Sequence, residues 1–365
     1  MAVNGVTKTL PTLLQDKTVQ KQVLGGLGLL TGIGAGLASY AILQEPFNVI
    51  MERLTIRIPN ARGRLPSQGL RILHLSDTHF QGIDWREQAK IESIRRLTAD
   101  LRYDLLIHTG DFWHNETGLE NILLLLDSIP TPRLGSYGVF GNHDYVCYSH
   151  SDMFSRNWGR YQLHAGNGNS NGKHSHHAHG LTALYENMRE LYRFAHYFMN
   201  MPFDLKRVHF NDVDRLKQRL AEREMQVLHN ESLHIRHKPG QSDGVDIHLA
   251  GVDDVSEGTP DLLQALRAID PSEPNLLLSH NPDILEDAQS RRANVILAGH
   301  THGGQIVLPW IGAAHTHSEH LRRHEAAGYL WRDQTQVYVS RGIGEGIPLR
   351  FCARPQIALI TIVAE

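Results

Sequence analysis

The sequence of 365 residues is poor in cysteine, with only Cys147 and Cys352. Two cysteines exclude a scaffold stabilised by several disulfides, and they exclude a zinc site of the four-cysteine type. The net charge is only −3, and charges of both signs are spread along the chain, so no nucleic-acid-binding surface is indicated. The length is sufficient for one large or two ordinary domains with a real core.

Histidine, in contrast, is abundant, with 24 residues in the chain. Neutral imidazole is the commonest metal ligand in proteins and a frequent acid–base group. In the stretch LAGHTHGGQ, His300 and His302 lie one residue apart between glycines, directly after the apolar run Asn294–Leu297. Such a run is typical of a buried strand, and continued extended geometry would point both histidines to one side. Taken alone, this segment is compatible with metal ligands or with a polar loop.

The N-terminal part of the chain contains an uncharged window of 20 residues at 24–43. A window of this length can cross a bilayer as a helix. Lys17 and Lys21 precede it, which by the positive-inside rule would place the N-terminus in the cytoplasm. We therefore expect residues 1–50 to carry a single anchor in the cell membrane, with a flexible arm or a cleaved signal as alternatives.

The remaining chain, residues 51–365, alternates short apolar runs with helical patterns. This alternation predicts an α/β domain whose sheet is largely buried. The predicted strands are Leu54–Ile58, Arg71–Leu75, Leu105–His108, Gly138–Phe140, Ile247–Leu249, Asn275–Leu278, Val295–Leu297, Val337–Val339 and Ile357–Ile362. The predicted helices are Trp85–Leu101, Leu119–Ser128 and Asp212–Arg223.

An insertion at about residues 146–210 interrupts this alternation. Connections of such length are usually lids, binding loops or disordered segments. Its middle, Gly166–Gly180, has low complexity, whereas Leu181–Phe203 has helical periodicity with an apolar face. That face predicts a lid over an apolar substrate, a helix on a membrane surface, or a helix packed on the domain core.

Five short polar blocks follow apolar runs along the chain. A single pair such as Asp-x-His carries little information, because such pairs often cap helices or turn the chain. The ordered set supplies oxygen and nitrogen donors at one edge of a sheet, which suits two divalent metal ions that share a carboxylate. The blocks are Ser76–His79, Gly110–Asp111, Gly141–Asp144, Ser279–Asn281 and Gly299–His302.

The ordered set D-x-H, GD, GNHD, H and GHTH resembles the motifs of the calcineurin-like metallophosphoesterases over about residues 50–365, apart from the insertion. The resemblance implies a four-layer αββα sandwich with two facing sheets. Through LHLSDTHF, GNHDY and GHTHGGQIVLPW, the chain is most similar to bacterial membrane-associated phosphodiesterases of the YkuE/YaeI type. That group is similar to enzymes that split UDP-2,3-diacylglucosamine at its pyrophosphate. The long insertion after GNHD departs from the pattern.

The resemblance also implies a set of metal ligands for two divalent ions, with manganese, iron and zinc as open alternatives. The ligands of one ion would be Asp77, His79 and His302. The ligands of the other ion would be Asn142, His280 and His300, with Asp111 bridging the two ions.

Four further residues are candidates for catalysis or substrate binding. In family terms His143 faces the phosphate, where it would stabilise the developing charge or protonate the leaving group. Asp144 either orients His143 or closes the turn. Arg341 and Arg350 would bind substrate phosphate through paired hydrogen bonds, or form structural ion pairs with carboxylates.

These features predict a two-metal hydrolase of phosphodiester or pyrophosphate bonds. Its partners would be a phosphoester substrate, including a lipid-linked one such as UDP-2,3-diacylglucosamine, and a membrane contacted by the N-terminal segment. The alternatives are a phosphomonoesterase, since the same two metals serve both reactions, and a non-catalytic, membrane-tethered metal-binding protein. The sequence leaves the oligomeric state open.

Overall fold

The computed structural model describes residues 32–82, 85–149, 153–166, 181–200 and 205–365. The strands are β1 Ile50–Ile58, β2 Leu70–Leu75, β3 Leu105–Thr109, β4 Gly135–Val139, β5 Val146–Ser149, β6 Lys206–Phe210, β7 Met225–Val227, β8 Glu231–His237, β9 Val245–Gly251, β10 Asn275–Leu278, β11 Val295–Ala298, β12 Val307–Leu308, β13 Gly312–Ala313, β14 Gly328–Arg332, β15 Thr335–Val339 and β16 Gln356–Ala364. The helices are α1 at residues 32–43, α2 Trp85–Thr98, α3 Leu119–Ser128, α4 Asn142–Tyr145, α5 Met153–Gly166, α6 Leu181–Asn200, α7 Val213–Ala221 and α8 Leu262–Ala265.

Two six-stranded mixed sheets form the body of the molecule. The first has the order β1-β16-β2-β3-β4-β7, and the second has the order β14-β15-β11-β10-β9-β8. Strands β2, β3 and β4 are parallel to one another, as are β9, β10, β11 and β15. Because parallel strands end at the same edge of a sheet, the polar blocks that follow them are brought together.

An apolar layer fills the space between the two sheets. It includes Ile72, Ile107 and Val139 from the first sheet and Ile247 and Val295 from the second, all fully buried. Burial of both faces of a parallel sheet explains why these strands appear in the sequence as continuous apolar runs.

Helices cover the outer face of the first sheet. Ile94 of α2, Leu123 of α3 and Leu216 of α7 pack in one cluster with Leu73 and Leu106 of the sheet. On the second sheet, α8 packs in a similar cluster with residues of β11 and β15. The prediction of an α/β domain with sheets and covering helices is confirmed.

All nine predicted strands and the three predicted helices of the domain are present, with shifts of a few residues at their ends. The largest shift is at Leu54–Ile58, because the strand β1 begins four residues earlier, at Ile50. The sequence analysis missed β5 to β8, β12 to β14, and the helices α4, α5 and α8.

The predicted membrane anchor at residues 24–43 is wrong for the part of the chain that the structure describes, where no helix is long and apolar enough to cross a bilayer. Helix α1 covers residues 32–43, which at about 1.5 Å per residue spans roughly 18 Å of a hydrocarbon layer about 30 Å thick. Residues 24–31 lie outside the described residues. The predicted localisation at the cell membrane, which depended on this anchor, is corrected with it.

The described part of the insertion contains a strand pair and two helices. Strands β5 and β6 pair in antiparallel fashion, and α5 and α6 pack against each other through aromatic side chains. The ring centroids of Trp158 and Phe194 lie 4.7 Å apart, and those of Tyr161 and Phe194 lie 5.7 Å apart. Helix α6 thus packs on α5, and none of its described residues belongs to the domain core. Residues 167–180 and 201–203 of the predicted segments lie outside the described part.

Candidate active site

The seven predicted metal ligands lie just beyond the ends of five strands. The first sheet supplies those after β2, β3 and β4, and the second sheet supplies those after β10 and β11. Six of them are buried, and His300 is partly buried. Burial of so many charged and polar groups is costly unless they are paired or bind a metal ion.

A first group consists of Asp77, His79 and His302, whose ligand atoms all lie within 4.8 Å of one another. The Nε2 atoms of the two histidines are 2.9 Å apart. Oδ1 of Asp77 lies 3.9 Å from Nε2 of His79 and 3.7 Å from Nε2 of His302. These three side chains therefore face one point.

A second group consists of Asp111, His280 and His300, again with ligand atoms within 4.8 Å. Asn142 joins it, because its Oδ1 lies 3.2 Å from Nε2 of His280 and 3.0 Å from Nδ1 of His300. The two histidine nitrogens are 3.1 Å apart. Four donors therefore converge on a second point.

Asp111 lies between the two groups. Its Oδ2 is 3.2 Å from Nε2 of His79 in the first group and 3.2 Å from Nε2 of His280 in the second. One carboxylate oxygen is thus within reach of both points, which is the arrangement that two metal ions sharing a carboxylate require.

Backbone carbonyls orient the imidazoles of the second group. Nδ1 of His280 donates to the carbonyl of Thr109 at 2.7 Å, and Nε2 of His300 donates to the carbonyl of His317 at 3.0 Å. These bonds use one nitrogen of each ring, so the other ring nitrogen faces the site. His280 offers Nε2 and His300 offers Nδ1.

The donor set fits divalent cations. Burial lowers the pKa of His79 and His302 well below the usual value, and it lowers the pKa of His300 to about 4. Two nitrogen lone pairs 2.9 Å apart repel each other, so either a shared proton or a cation must lie between Nε2 of His79 and Nε2 of His302. Mixed imidazole, carboxylate and amide donors suit manganese, iron or zinc.

Positive φ angles are concentrated at the site. Five of the proposed ligands have a positive φ angle, between 47° and 70°: Asp77, His79, Asp111, His300 and His302. Residues other than glycine rarely adopt this left-handed backbone conformation. Each residue in this conformation costs of order 1–3 kcal/mol of folding free energy, and the conformation persists where the surrounding structure enforces it.

The expected extended geometry past Leu297 is therefore wrong, because β11 ends at Ala298 and the chain then turns. As a result His300 faces the second group and His302 faces the first.

Glycine is required where loops of the site cross. A Cβ atom on Gly299 would lie 1.9 Å from Oγ of Ser76 and 2.3 Å from Oδ2 of Asp77. A Cβ atom on Gly141 would lie 2.4 Å from Oδ1 of Asp111. The glycines of the motifs therefore allow the metal ligands to approach the neighbouring backbone.

A chain of buried hydrogen bonds supports Asp77 from behind. Oγ of Ser76 donates to Oδ2 of Asp77 at 2.5 Å, and Oγ1 of Thr109 donates to Oγ of Ser76 at 2.8 Å. Nε2 of His74 donates to Oγ1 of Thr109 at 2.9 Å. Burial lowers the pKa of His74 to about 3, so the ring is neutral at physiological pH. These hydrogen bonds engage Oδ2 of Asp77, and its Oδ1 faces the site.

His143 is buried beside the two groups of donors. It lines a cavity of about 100 Å³ together with Asp111, His300 and His302. Its backbone N–H donates to Oδ1 of Asp111 at 2.8 Å. The ring centroids of His143 and His79 lie 4.5 Å apart. The imidazole is therefore adjacent to both groups of donors.

The sequence analysis missed His114, which lies beside His143. The two ring centroids are 4.7 Å apart, and the ligand atoms of His79, His114 and His143 all lie within 4.8 Å of one another. Nε2 of His114 donates to the carbonyl of Tyr148 at 3.0 Å. The only signal in the sequence is its position three residues after Asp111, in GDFWH.

Asp144 holds two loops of the site together. Its carboxylate accepts hydrogen bonds from the backbone N–H groups of Gly141, Asp111 and Phe112, at 2.8, 2.9 and 2.8 Å. This geometry corresponds to the alternative in which Asp144 closes the turn, since its bonds go to the backbone beside His143 and Asp111.

The two predicted substrate arginines have different environments. Arg341 is partly buried beside Gly303. Arg350 is fully buried, and it donates to the carbonyls of Ala353 and Arg341 at 2.9 Å each. Its Nη2 lies 3.4 Å from Nδ1 of His302, and its Nε lies 3.5 Å from Glu345. Arg350 therefore lies beneath the site, where it supports the backbone around His302.

The family model for the calcineurin-like phosphoesterases matches residues 70–304, which is more than half of the chain. The chain is 29% identical over 332 residues to the UDP-2,3-diacylglucosamine pyrophosphatase LpxG of Chlamydia trachomatis, covering 88% of this chain and 91% of that protein. It is 26% identical over 360 residues to the uncharacterized metallophosphoesterase YkuE of Bacillus subtilis, covering 95% and 98%. The phosphodiesterase YaeI of Escherichia coli is 34% identical over 90 residues, covering 25% and 33%.

Proposed function

The chain belongs to the calcineurin-like phosphoesterase family and is a metal-dependent phosphoesterase, and we propose that it hydrolyses phosphodiester or pyrophosphate bonds. The observation that carries this proposal is the position of Asp111, whose Oδ2 lies 3.2 Å from one histidine of each donor group. One bridging carboxylate between two nitrogen-rich groups supports a dinuclear centre.

In this proposal Asp77, His79 and His302 hold one divalent ion, and Asn142, His280 and His300 hold the other, with Asp111 shared. The two ions, when bound, neutralise the non-bridging oxygens of the phosphoester and lower the pKa of a water molecule. Manganese, iron and zinc all suit these donors.

The side chains of the protein contribute the remaining steps. His143, beside both groups, donates a hydrogen bond or a proton to the leaving oxygen, an effect of roughly 10²–10⁴-fold. His114 packs against His143 and restricts its orientation. Asp144 keeps the loops of Asp111 and Asn142 at a fixed separation through backbone hydrogen bonds. Arg350, being buried, supports His302 and does not contact substrate.

Two relatives whose names state an activity support the class of substrate. LpxG, at 29% identity, is a UDP-2,3-diacylglucosamine pyrophosphatase, and YaeI is a phosphodiesterase. We therefore propose a substrate in which a phosphodiester or pyrophosphate linkage joins two organic groups, and UDP-2,3-diacylglucosamine is the first candidate. An insertion that reaches the site through Met153 and Leu205 is compatible with a lid over an apolar part of this substrate.

The first experiment is hydrolysis of bis-p-nitrophenyl phosphate and p-nitrophenyl phosphate by metal-stripped protein as Mn²⁺ is added back. We expect metal-dependent release from the diester, with a loss of at least roughly 10²-fold in kcat for Asp111→Asn, because the variant lacks the bridging charge. Lys217→Ala, on the exposed face of α7, serves as the control.

Preference for the monoester would favour the phosphomonoesterase alternative. Two bound metal ions without turnover of either ester, or of UDP-2,3-diacylglucosamine, would favour the non-catalytic alternative. Equal activity of Asp111→Asn and the parent would contradict the dinuclear centre.

A further inference from the structure

Tyr148 connects the insertion to the candidate active site. It lies on β5, and its backbone carbonyl accepts a hydrogen bond from Nε2 of His114 at 3.0 Å. Its ring meets that of His143 edge-on, with the centroids 4.9 Å apart and an angle of 67° between the ring planes. A tyrosine of the insertion therefore contacts both histidines that lie beside the two groups of donors.

An irregularity in the strand pair of the insertion sets the direction of Tyr148. Cys147 pairs with His209, whereas Tyr148 pairs with Arg207, so the register skips Val208 on β6. A bulge of this kind places one extra residue on one strand and changes the direction of the neighbouring side chains. Tyr148 and Arg207 thereby become cross-strand neighbours whose side chains project from the same face of the pair.

Glu257 joins these two neighbours to the second sheet. The hydroxyl of Tyr148 donates to Oε1 of Glu257, and Nη2 of Arg207 lies 2.7 Å from the same oxygen. The backbone N–H of Glu257 donates to the buried carboxylate of Asp254 at 2.8 Å, in the loop that follows β9. Tyr148 is thus held between the insertion and a loop of the second sheet.

The same hydroxyl contacts a proposed metal ligand, because the side chain of Asn142 is its second hydrogen-bond partner. Burial and Glu257 raise the pKa of Tyr148 above its usual value, so the hydroxyl keeps its proton and donates to Glu257. The phenolic oxygen is then the acceptor for Asn142. Since Oδ1 of Asn142 lies beside His280 and His300, its amide Nδ2 is the group that donates to Tyr148.

The backbone of His143 is held from two sides, and its ring is bounded by other rings. The N–H donates to Oδ1 of Asp111 at 2.8 Å, and the carbonyl accepts from Nδ2 of Asn211 at 2.9 Å. These backbone bonds do not fix the torsion angles of the side chain. Three rings lie around the imidazole, with centroids at 4.5, 4.7 and 4.9 Å: His79, His114 and Tyr148. Packing against these rings limits the rotation of the imidazole.

We propose that Tyr148 is a positioning residue of the active site. Its hydroxyl keeps the amide of Asn142 turned so that Oδ1 faces the second group of donors, and its ring keeps the imidazole of His143 directed at the leaving oxygen. The proposal rests on the proposed function, in which Asn142 binds a metal ion and His143 assists the leaving group. It gives the insertion a part in the chemical step, since Tyr148 belongs to β5.

Tyr148→Phe tests the hydroxyl, because the variant keeps the ring. We expect one of the two Mn²⁺ affinities in calorimetry to fall about tenfold, since loss of a hydrogen bond that orients a metal ligand typically costs 10–100-fold. At saturating Mn²⁺, kcat for bis-p-nitrophenyl phosphate should remain close to that of the parent. Tyr161→Phe is the matched control, because the hydroxyl of Tyr161 also donates to a carboxylate, that of Glu190 at 2.8 Å within the helical pair.

Tyr148→Leu tests the ring. Relative to Tyr148→Phe, we expect kcat to fall about tenfold, because a misdirected imidazole assists the leaving group less well. In a His143→Ala background the Leu and Phe variants should have equal kcat, since the ring acts only through His143. This double-mutant cycle separates positioning from a loss of stability, because a structural effect would lower kcat equally in both backgrounds.

Unchanged Mn²⁺ affinity in Tyr148→Phe, or an equal loss of kcat from Tyr148→Leu in both backgrounds, would overturn the proposal. The proposed function is tested separately by the parent protein. Two bound Mn²⁺ ions without hydrolysis by the parent would contradict the proposed function, while the affinity of Tyr148→Phe would still decide the role of the hydroxyl. Hydrolysis by the parent without the expected changes in the variants would overturn only the role of Tyr148.

Discussion

At the scale of single residues, the proposed metal ligands depend on neighbours that do not themselves reach the site. Ser76 holds one oxygen of Asp77, and backbone carbonyls of Thr109 and His317 hold the rings of His280 and His300. Partners of this kind set the direction and the basicity of a ligand, and their loss typically weakens metal affinity 10–100-fold.

Ser76→Ala tests this dependence. The variant loses the 2.5 Å hydrogen bond to Asp77 while the carboxylate remains, so we expect the weaker of two Mn²⁺ affinities to fall by about tenfold in calorimetry. Ser128→Ala, whose hydroxyl donates to the Leu124 carbonyl at the end of α3, is the control. Unchanged affinity in Ser76→Ala would mean that the bond does not position Asp77.

Gly299→Ala is expected to disrupt the site by steric contact. The added Cβ atom would lie 1.9 Å from Oγ of Ser76, so the loop after β11 must move and take His300 with it. We expect loss of Mn²⁺ binding and a lower Tm. Gly159→Ala in α5, where a Cβ atom would meet nothing within 4 Å, is expected to be neutral or stabilising. Similar Tm and metal binding in both variants would contradict the steric argument.

At the scale of secondary-structure elements, edge strands and the insertion behave differently from the core strands. Strand β6 is exposed along its whole length, and the two edge strands of the second sheet, β8 and β14, each contain several exposed residues. Strands with one exposed face or a free edge need no continuous apolar run, which explains why the sequence analysis missed them. The core strands, buried on both faces, were predicted correctly.

Removal of the helical pair tests the role of the insertion. We expect replacement of residues 153–200 by a short Gly/Ser linker to lower kcat/KM for UDP-2,3-diacylglucosamine far more than for bis-p-nitrophenyl phosphate, because the latter needs no apolar wall. Strands β5 and β6 stay in place, so Tyr148 keeps its contact with His114. Equal loss of activity on both substrates would contradict a lid function.

At the scale of the whole molecule, folding brings seven ligands from two sheets into one buried electrostatic system. In the metal-free protein burial raises the pKa of Asp77 to about 6. Burial opposes charge on His280, but Asp111 and Asp77 together raise its pKa well above the usual value. His280 therefore holds a proton at neutral pH that metal binding must release, and Asp77 holds one below about pH 6.

Mn²⁺ binding should therefore be linked to proton release. We expect about one proton released at pH 7.5, from His280, and additional release below pH 6, where Asp77 is protonated in the metal-free protein. Affinity should fall as the pH decreases through this range, because protons compete with the metal. Calorimetry in buffers with different ionisation enthalpies measures the release. Identical heats in such buffers at both pH values would contradict the linkage.

The sequence by itself determined the kinds of ligand, their order and the α/β class, because burial of parallel strands leaves continuous apolar runs with polar residues at their ends. Only the tertiary structure decided which atoms meet. The family resemblance already implied that Asp111 bridges the two groups, but the 3.2 Å distances from its Oδ2 to His79 and to His280 depend on the packing of two sheets from distant parts of the chain. The proximity of His114 to His143 depends on the pairing of β3 with β4 in the first sheet. The structure also shows that Arg350 is fully buried next to His302 and supports it from beneath. The sequence could not show this, because it does not indicate how deeply a single arginine side chain is buried.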